Sequence, residues 1–257
     1  MSEQINTLFI VAMHREIQPL LEECEPITID DFLSVQDSAN TLRHPQSVYR
    51  WENSIVVCSG PGFKNAASAA RQAIDRFSPE MVVSIGFAGA LAPGMKVGDI
   101  FVPRHIVSER TGSAFTSPRG QGSLVTADTV AGEERKHVLF ARFHAQAVDM
   151  EAAAVAAVAA SQDCEFLALK VISDELDTRI DFVEPFLRPE GFRLGAFLAH
   201  LSVRPWLWPM VFRLRRDSCR AAENLCGAIR VLITQGRGAL EGLHANGRVL
   251  EAELKES

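Results

Sequence analysis

The 257 residues, 47% hydrophobic and 23% charged, suffice for one large α/β domain with a C-terminal appendage, the favoured reading, or for two small domains. A formal net charge of −6 argues against a general nucleic-acid binder, which needs a basic face. Five cysteines (Cys24, Cys58, Cys164, Cys219, Cys226), odd in number and without CxxC or Cys/His ligand spacing, indicate neither a disulfide framework nor a metal site and suit a reducing cytoplasm.

The opening MSEQINTLFIVAM has no basic n-region, so its apolar run is expected to be a first buried strand and not a signal peptide. No apolar run reaches the length of a membrane span. Residues 7–12 (TLFIVA) form that strand, and Met13-His14-Arg15-Glu16 hands over to a helix, IQPLLEEC. Glu16 falls near the strand's C-terminal edge; a solvated Glu in a first helical turn is the plainer alternative. Residues 25–51 look irregular or weakly β. Residues 54–59 (SIVVCS) are a second apolar strand ending in Gly60-Pro61-Gly62, followed by a helix over 65–77. Glycines there let backbone approach a ligand with N–H groups outward, an anion or hydroxyl cradle, or they make only a tight turn.

Residues 81–85 (MVVSI) are a third buried strand leading into a small-residue passage, Gly86-Phe87-Ala88-Gly89-Ala90, suited to run beneath a ligand. KVGDIFVP (96–103) reads as a turn and another strand. TGSAFTSPRGQG (111–122) reads as a mobile surface loop, and SLVTA (123–127) as a strand with Asp128 at its end. The stretch 147–177, AVDMEAAAVAAVAASQDCEFLALKVISDELD, places an Ala/Val helix (152–160) and a strand (166–172) between two carboxylates, Glu151 and Asp174. Beyond Pro189 the composition turns rich in Arg, Phe, Trp and Leu, with Pro205 and Pro209 expected to break it into short helices. The expected organisation is a catalytic domain (1–188), a helical aromatic- and Arg-rich extension (189–235) and a flexible tail (236–257). Alternating buried strands and helices predict a three-layer α/β/α domain on a mixed, mostly parallel sheet. Glu16, the Gly60 to Gly62 turn, Gly86 to Ala90, Glu151 and Asp174 then converge on its carboxyl edge, where such sheets bind ligands.

At these residues the sequence resembles the nucleoside phosphorylase and 5′-methylthioadenosine/S-adenosylhomocysteine nucleosidase superfamily. The matching segments are GFAGALAPGMKVGDIFVP, AVDMEAAAV and ISDELD, with weaker agreement at VAMHREIQPL and SGPGFKNAASAA. The resemblance implies that Glu151 bridges the 2′- and 3′-hydroxyls of a ribose. It places Met150 under the sugar, and Asp149, Ser173, Gly86, Phe87, Ala88 and Val130 around the substrate. It makes Asp174 the acid that protonates or hydrogen-bonds a purine N7, its pKa raised by partial burial, and Glu16 the base that orients and deprotonates water. Taken alone, Asp174 is equally a helix N-cap and Glu151 a solvated first-turn residue.

The departures from the family pattern matter too. Phe87 stands where the family usually has serine and Ser84 where the phosphorylases have arginine, both of them phosphate-holding positions; Arg15 or Gly60 and Gly62 are the candidate substitutes. Val130 stands in place of the aromatic that stacks on the base. The segment between Pro103 and Asp149 is shorter than in the nucleosidases, which opens the 5′ side. That shortening and residues 193–218, RLGAFLAHLSVRPWLWPMVFRLRRDS, resemble the hopanoid-associated phosphorylases, whose implied role is to remove adenine from adenosylhopane. The aromatic and arginine side chains of that stretch suit a bilayer interface or a polycyclic lipid tail, or serve as ordinary core and subunit contacts.

The expectation is an enzyme of purine nucleosides with no cofactor, using inorganic phosphate or water as co-substrate. A small-molecule or lipid-linked nucleoside is its partner, with no nucleic acid. It is expected to be a cytoplasmic homo-oligomer with peripheral contact at the inner face of the membrane. The alternatives are a nucleosidase of the methylthioadenosine/S-adenosylhomocysteine type and a catalytically silent nucleoside-binding or membrane-associated protein of the same fold. A dinucleotide-dependent oxidoreductase is disfavoured, because GPGFKN lacks the Gly-rich fingerprint.

Overall fold

The computed structural model describes residues 5–32, 44–178, 187–188, 191–192 and 208–235, and the structural statements here concern these. The near-continuous apolar runs become the middle of one mixed sheet. Strand β1 (Thr7–Val11) lies between β4 (Ser54–Cys58) and β5 (Met81–Ala90), parallel to both, and β11 (Glu165–Asp174) runs parallel to β5. Burial on both faces explains why these strands lack polar alternation.

Outward from β4 the sheet continues antiparallel through β3 (Ser47–Trp51) and β2 (Glu25–Ile27), so two strands form in the segment that looked irregular. On the other side β5 meets β10 (Ala147–Asp149). The order then runs through β9 (Ser123–Thr126) and β7 (His105–Ser108) to β8 (Ala114–Thr116). Strand β6 (Ile100–Phe101) pairs antiparallel with β11. Strand β8 falls inside the expected surface loop, because antiparallel pairing with β7 satisfies backbone groups that a loop would leave to water. A small separate ladder joins β12 (Leu187–Arg188) and β13 (Gly191–Phe192).

Helices α3 (Phe63–Phe77) and α5 (Ala152–Ser161) cover one face of the sheet. Ala152 to Ala156 are all buried, and their small side chains let α5 lie close to α3 and the strands below. Two single turns, α1 (Gln18–Leu21) and α2 (Ile29–Phe32), precede α3, and α4 (Glu133–Phe143) packs beside β9 and β10 through Leu139.

The opposite face is covered by α6 (Trp208–Gln235). Here the structure departs from the expectation of short helices: Pro209 is the second residue of a helix that continues for 28 residues. A proline in the first turn removes an N–H that has no intrahelical acceptor anyway. Pro205 and the expected tail 236–257 lie outside the described residues. Ala221, Ala222, Leu225, Cys226, Ala228, Ile229 and Leu232 form the helix's buried stripe, in one cluster with Ile17, Leu20, Leu167, Leu169 and Val171. Polar ties pin it, since Asn224 Nδ2 donates to the Gly98 carbonyl at 2.8 Å and Arg230 donates to Glu23 and to the Pro19 carbonyl.

The substitution Leu225→Ala should therefore cost about 2–5 kcal/mol. Denaturant unfolding reads this as a lower midpoint, and an unchanged midpoint would mean that α6 is no part of the core.

Candidate active site

Strand β5 carries the site along its second half. It extends to Ala90, so Gly86 to Ala90 are strand residues and not the expected passage of small residues beyond a short strand. Their N–H and C=O groups find partners on β11 and β10, which is what keeps the strand going. Gly86 has φ +139°, and a Cβ there would lie 3.3 Å from Glu16 Oε1.

Glu16 occupies the space thus cleared. It ends a single 3₁₀ turn (His14–Glu16) just past β1 and is 3% exposed, which removes the solvated alternative. Its Oε2 accepts from the Met13 N–H at 2.9 Å and its Oε1 from the Phe87 N–H at 3.1 Å. Burial raises its pKa above the ordinary carboxylate range, against the lowering by the two N–H donors and by the charges of Arg15 and Lys170.

Glu151 sits at the start of α5 and reaches across to the glycine turn. Its Oε1 accepts from the Gly62 N–H at 2.7 Å and its Oε2 from the Met150 N–H at 3.3 Å. Burial and then the neighbouring Asp149 charge push its pKa up to about 7, with Lys170 opposing. Asp149 is turned the other way: it accepts from Thr126 Oγ1 at 2.6 Å, from the Ala152 N–H at 2.8 Å and from Lys170 Nζ at 3.0 Å. Its acceptor capacity is thus used within the protein, in anchoring the N-terminus of α5 and neutralising Lys170.

Lys170 and Ser84 explain each other. The lysine is a lone charge within the buried run FLALKVI, and its ammonium also bonds Ser84 Oγ at 3.0 Å. The position where the related phosphorylases have arginine is thus occupied by a serine that serves a buried lysine of the adjacent strand. One ammonium stands amid three carboxyl groups, Glu16, Asp149 and Glu151. Burial raises the pKa of both Glu16 and Glu151, and at Glu151 the charges of Asp149 and Glu16 add to the rise.

Asp174 ends β11 at an irregularity in register that sets it opposite Gly89, while Val148 of β10 faces Gly89 from the other side. Ser173 Oγ bonds Asp174 Oδ1 at 2.6 Å, and the ammonium of Lys136 bonds Oδ2. Asp174 was expected to be partly buried and is 7% exposed; the structure also sets a buried cation against it, because α4 projects Lys136 inward.

Of the remaining candidates, Ala88 is buried, Phe87 half-buried against the α6-side core, and Met150 and Val130 partly exposed. Gly60 (φ +81°) and Gly62 (φ +95°) take conformations that suit glycine, and Gly62 directs its N–H to Glu151. Arg15 is exposed. Two buried lysines escaped the sequence reading. Lys170 had a visible signal, a charge inside an apolar strand, which demands a buried partner. Lys136 had none, since ERKHVLFARF reads as an ordinary surface helix.

This sheet and its gathered carboxyl groups define a glycosyl-bond-cleaving enzyme. The chain belongs to the Phosphorylase superfamily, whose sequence profile matches residues 7–127 and 118–188. It is 25% identical over 213 residues to the 5′-methylthioadenosine/S-adenosylhomocysteine nucleosidase of Staphylococcus epidermidis, covering 69% of this chain and 90% of that one. It is 27% identical over 221 residues to the aminodeoxyfutalosine nucleosidase of Helicobacter pylori, covering 73% and 94%. The solved apo structure of Arabidopsis thaliana 5′-methylthioadenosine nucleosidase superposes with a TM-score of 0.62 at 19% identity, over 95% of this chain and 98% of that one, a likeness of fold.

Two outcomes follow from the packing. Gly86→Ala forces a side chain against Glu16 at a φ that L-residues avoid, and should cost about 1–3 kcal/mol in thermal unfolding; an unaffected melting temperature would mean that Glu16 is not tightly seated. Because the folded chain binds the Glu151 proton more tightly than the unfolded one, the stability this group lends is full below the ordinary carboxylate range and is lost as pH rises through about 7. Glu151→Gln should flatten that decline in a pH series of unfolding midpoints, and an unaltered slope would contradict the raised pKa.

Proposed function

We propose that this enzyme releases adenine from an adenosyl compound with a bulky apolar 5′ substituent, such as adenosylhopane, by cleaving the bond between ribosyl C1′ and purine N9. The observation that carries the proposal is that Glu16 and Asp174 meet β5 at Phe87 and Gly89, with Glu151 near enough to Glu16 to feel its charge.

In this reading Glu151 accepts the two ribose hydroxyls and Met150 lies beneath the sugar. Asp174, with Ser173 on one oxygen, faces N7, and Gly86, Phe87, Ala88 and Val130 border the nucleoside. Protonating the base as C1′–N9 breaks makes it a neutral leaving group, and the sugar passes through an oxocarbenium-like state. Glu16, held by two backbone donors and with a pKa above the usual range, is suited to take a proton from attacking water. Hydrolysis is favoured on that ground, and phosphorolysis would enlist the Gly60 and Gly62 turn and Arg15. Support for the apolar 5′ group is the exposed start of α6, where Phe212 is 63% exposed and Arg213, Arg215 and Arg216 also face solvent. Such a surface suits a lipid-linked substrate and peripheral membrane contact; no helix among the described residues is long and apolar enough to cross a membrane. A homo-oligomer remains part of the proposal. The named nucleosidase relatives favour a second reading, methylthioadenosine or S-adenosylhomocysteine as substrate.

Adenine release should be measured from adenosylhopane, methylthioadenosine and S-adenosylhomocysteine, each with and without phosphate. Preference for adenosylhopane supports the proposal, preference for a thioether supports the second reading, and no release from any of them defeats both. Asp174→Asn should cut turnover by about 100-fold or more with the fold intact, and full activity would remove Asp174 from the acid's place. Binding of adenosine over its 2′,3′-dideoxy analogue should strengthen as pH rises through about 7, where Glu151 ionises; a flat preference would separate Glu151 from the ribose.

A further inference from the structure

We infer that Lys136 stores the proton that leaves with the purine, so that the acid of this site is the Lys136–Asp174 pair and not a lone carboxyl group. The inference rests on the reading of Asp174 as the group facing the base. Lys136 acts through Asp174 and is a positioning residue.

The burial of Lys136 is specific. In α4 Lys136 and Leu139 are the fully buried residues, while Arg135 turns out to Glu109 at 2.6 Å. Lys136 is 0% exposed, and its ammonium bonds Asp174 Oδ2 and, at 2.6 Å, the Glu175 carbonyl. Burying an ammonium costs several kcal/mol unless a partner compensates it, so a structural role alone would be served as well by an apolar residue. Space is made for it: a Cβ on Gly89 would lie 3.0 Å from Asp174 Oδ2 and 3.2 Å from Lys136 Cε. Gly89 does not have the positive φ that would otherwise call for glycine, so the slot for the pair accounts for the residue.

The groups facing the pair come from each element around it. From the end of β11 come Ser173 and Asp174, and next after it Glu175, whose own side chain turns outward to Lys96 at 3.0 Å. Strand β10 presents the apolar Val148. From α4 and the chain after β11 come the half-buried Glu133, and His137 and Asp177, which are 3.9 Å apart and mostly exposed, so that water screens these two.

A carboxylate beside an ammonium carries no proton of its own to give. The pair as a whole holds one proton that it can pass on. As C1′–N9 breaks, its electrons go to the base. The Nζ–H bond breaks, the proton passes through the carboxyl group, and an N–H bond forms at N7, so that adenine leaves neutral. The pair is left as amine and carboxylate, with one negative charge opposing the positive charge of the sugar. A proton from solvent restores it.

The pH dependence of kcat/KM separates this from packing. In the unaltered enzyme kcat/KM should hold from about pH 5.5 to about pH 8; a steep fall across that range would overturn the inference. Lys136→Gln should lose about 100-fold at about pH 8 and recover to within about 10-fold near pH 5.5, where Asp174 draws its proton from solvent. Lys136→Arg keeps a cation that cannot release its proton, so it should lose about as much at pH 8 without recovery at low pH. Equal fractional losses of Lys136→Gln at every pH, or a folded Lys136→Arg with unaltered activity, would sink the inference. Circular dichroism and melting establish that each variant folds, and should neither fold, the profile of the unaltered enzyme decides alone. If Asp174→Asn is inactive while the Lys136→Gln profile keeps the shape of the unaltered one, Lys136 alone is excluded. If Asp174→Asn is fully active, the reading of Asp174 fails first.

Discussion

The ammonium of Lys170, buried in the middle of β11, is the charge on which the site's arrangement depends. It holds Asp149, which anchors the first turn of α5, and it bonds Ser84 of the neighbouring strand. Its field also reaches Glu16 and Glu151 and lowers what burial raises. Three carboxyl groups against one cation leave an excess of negative charge in a place with little water. Burial raises Glu16 and Glu151 above the usual carboxylate range, and Asp149 and Glu16 push Glu151 further, to about 7.

Glycine supplies the room. At Gly86 the missing side chain admits the Glu16 carboxylate, and at Gly89 it admits Asp174 together with Lys136. Two positions three residues apart on one strand thus place the Glu16 carboxyl on one side of β5 and the Asp174 carboxyl on the other. The distance between them is set by strand geometry and not by a flexible loop. Gly62 adds a third contribution, an N–H that orients Glu151. A sheet edge built from β1, β5 and β11 in parallel register is stiff enough to hold these groups, and α6 fixes the opposite face through Leu225 and Ile229.

Much of this was legible in the residues. Continuous apolar runs announced β1, β4, β5 and β11, because a strand covered by helices on both faces has no exposed side to keep polar. Glu151 and Asp174 stood out as carboxylates at the ends of a helix and strand unit. What stayed hidden is tertiary in origin. Strand β8 and the full length of β5 depend on partners distant in the chain, and the continuity of α6 past Pro209 depends on where the helix begins. Asp149 and Glu151 are two residues apart in one motif, yet they face opposite ways, one into the frame and one toward the glycine turn.

The order of apolar runs and the residue types at their ends sufficed to dictate an α/β/α fold, its sheet-edge site and the carboxyl groups there, since local periodicity and side-chain chemistry are properties of neighbours along the chain. Which carboxyl group meets which ammonium is another matter. Lys136 lies 38 residues from Asp174 and Lys170 lies 86 residues from Ser84. Such pairings are settled by strand register and helix rotation, and so the protonation chemistry of the site belongs to the folded chain.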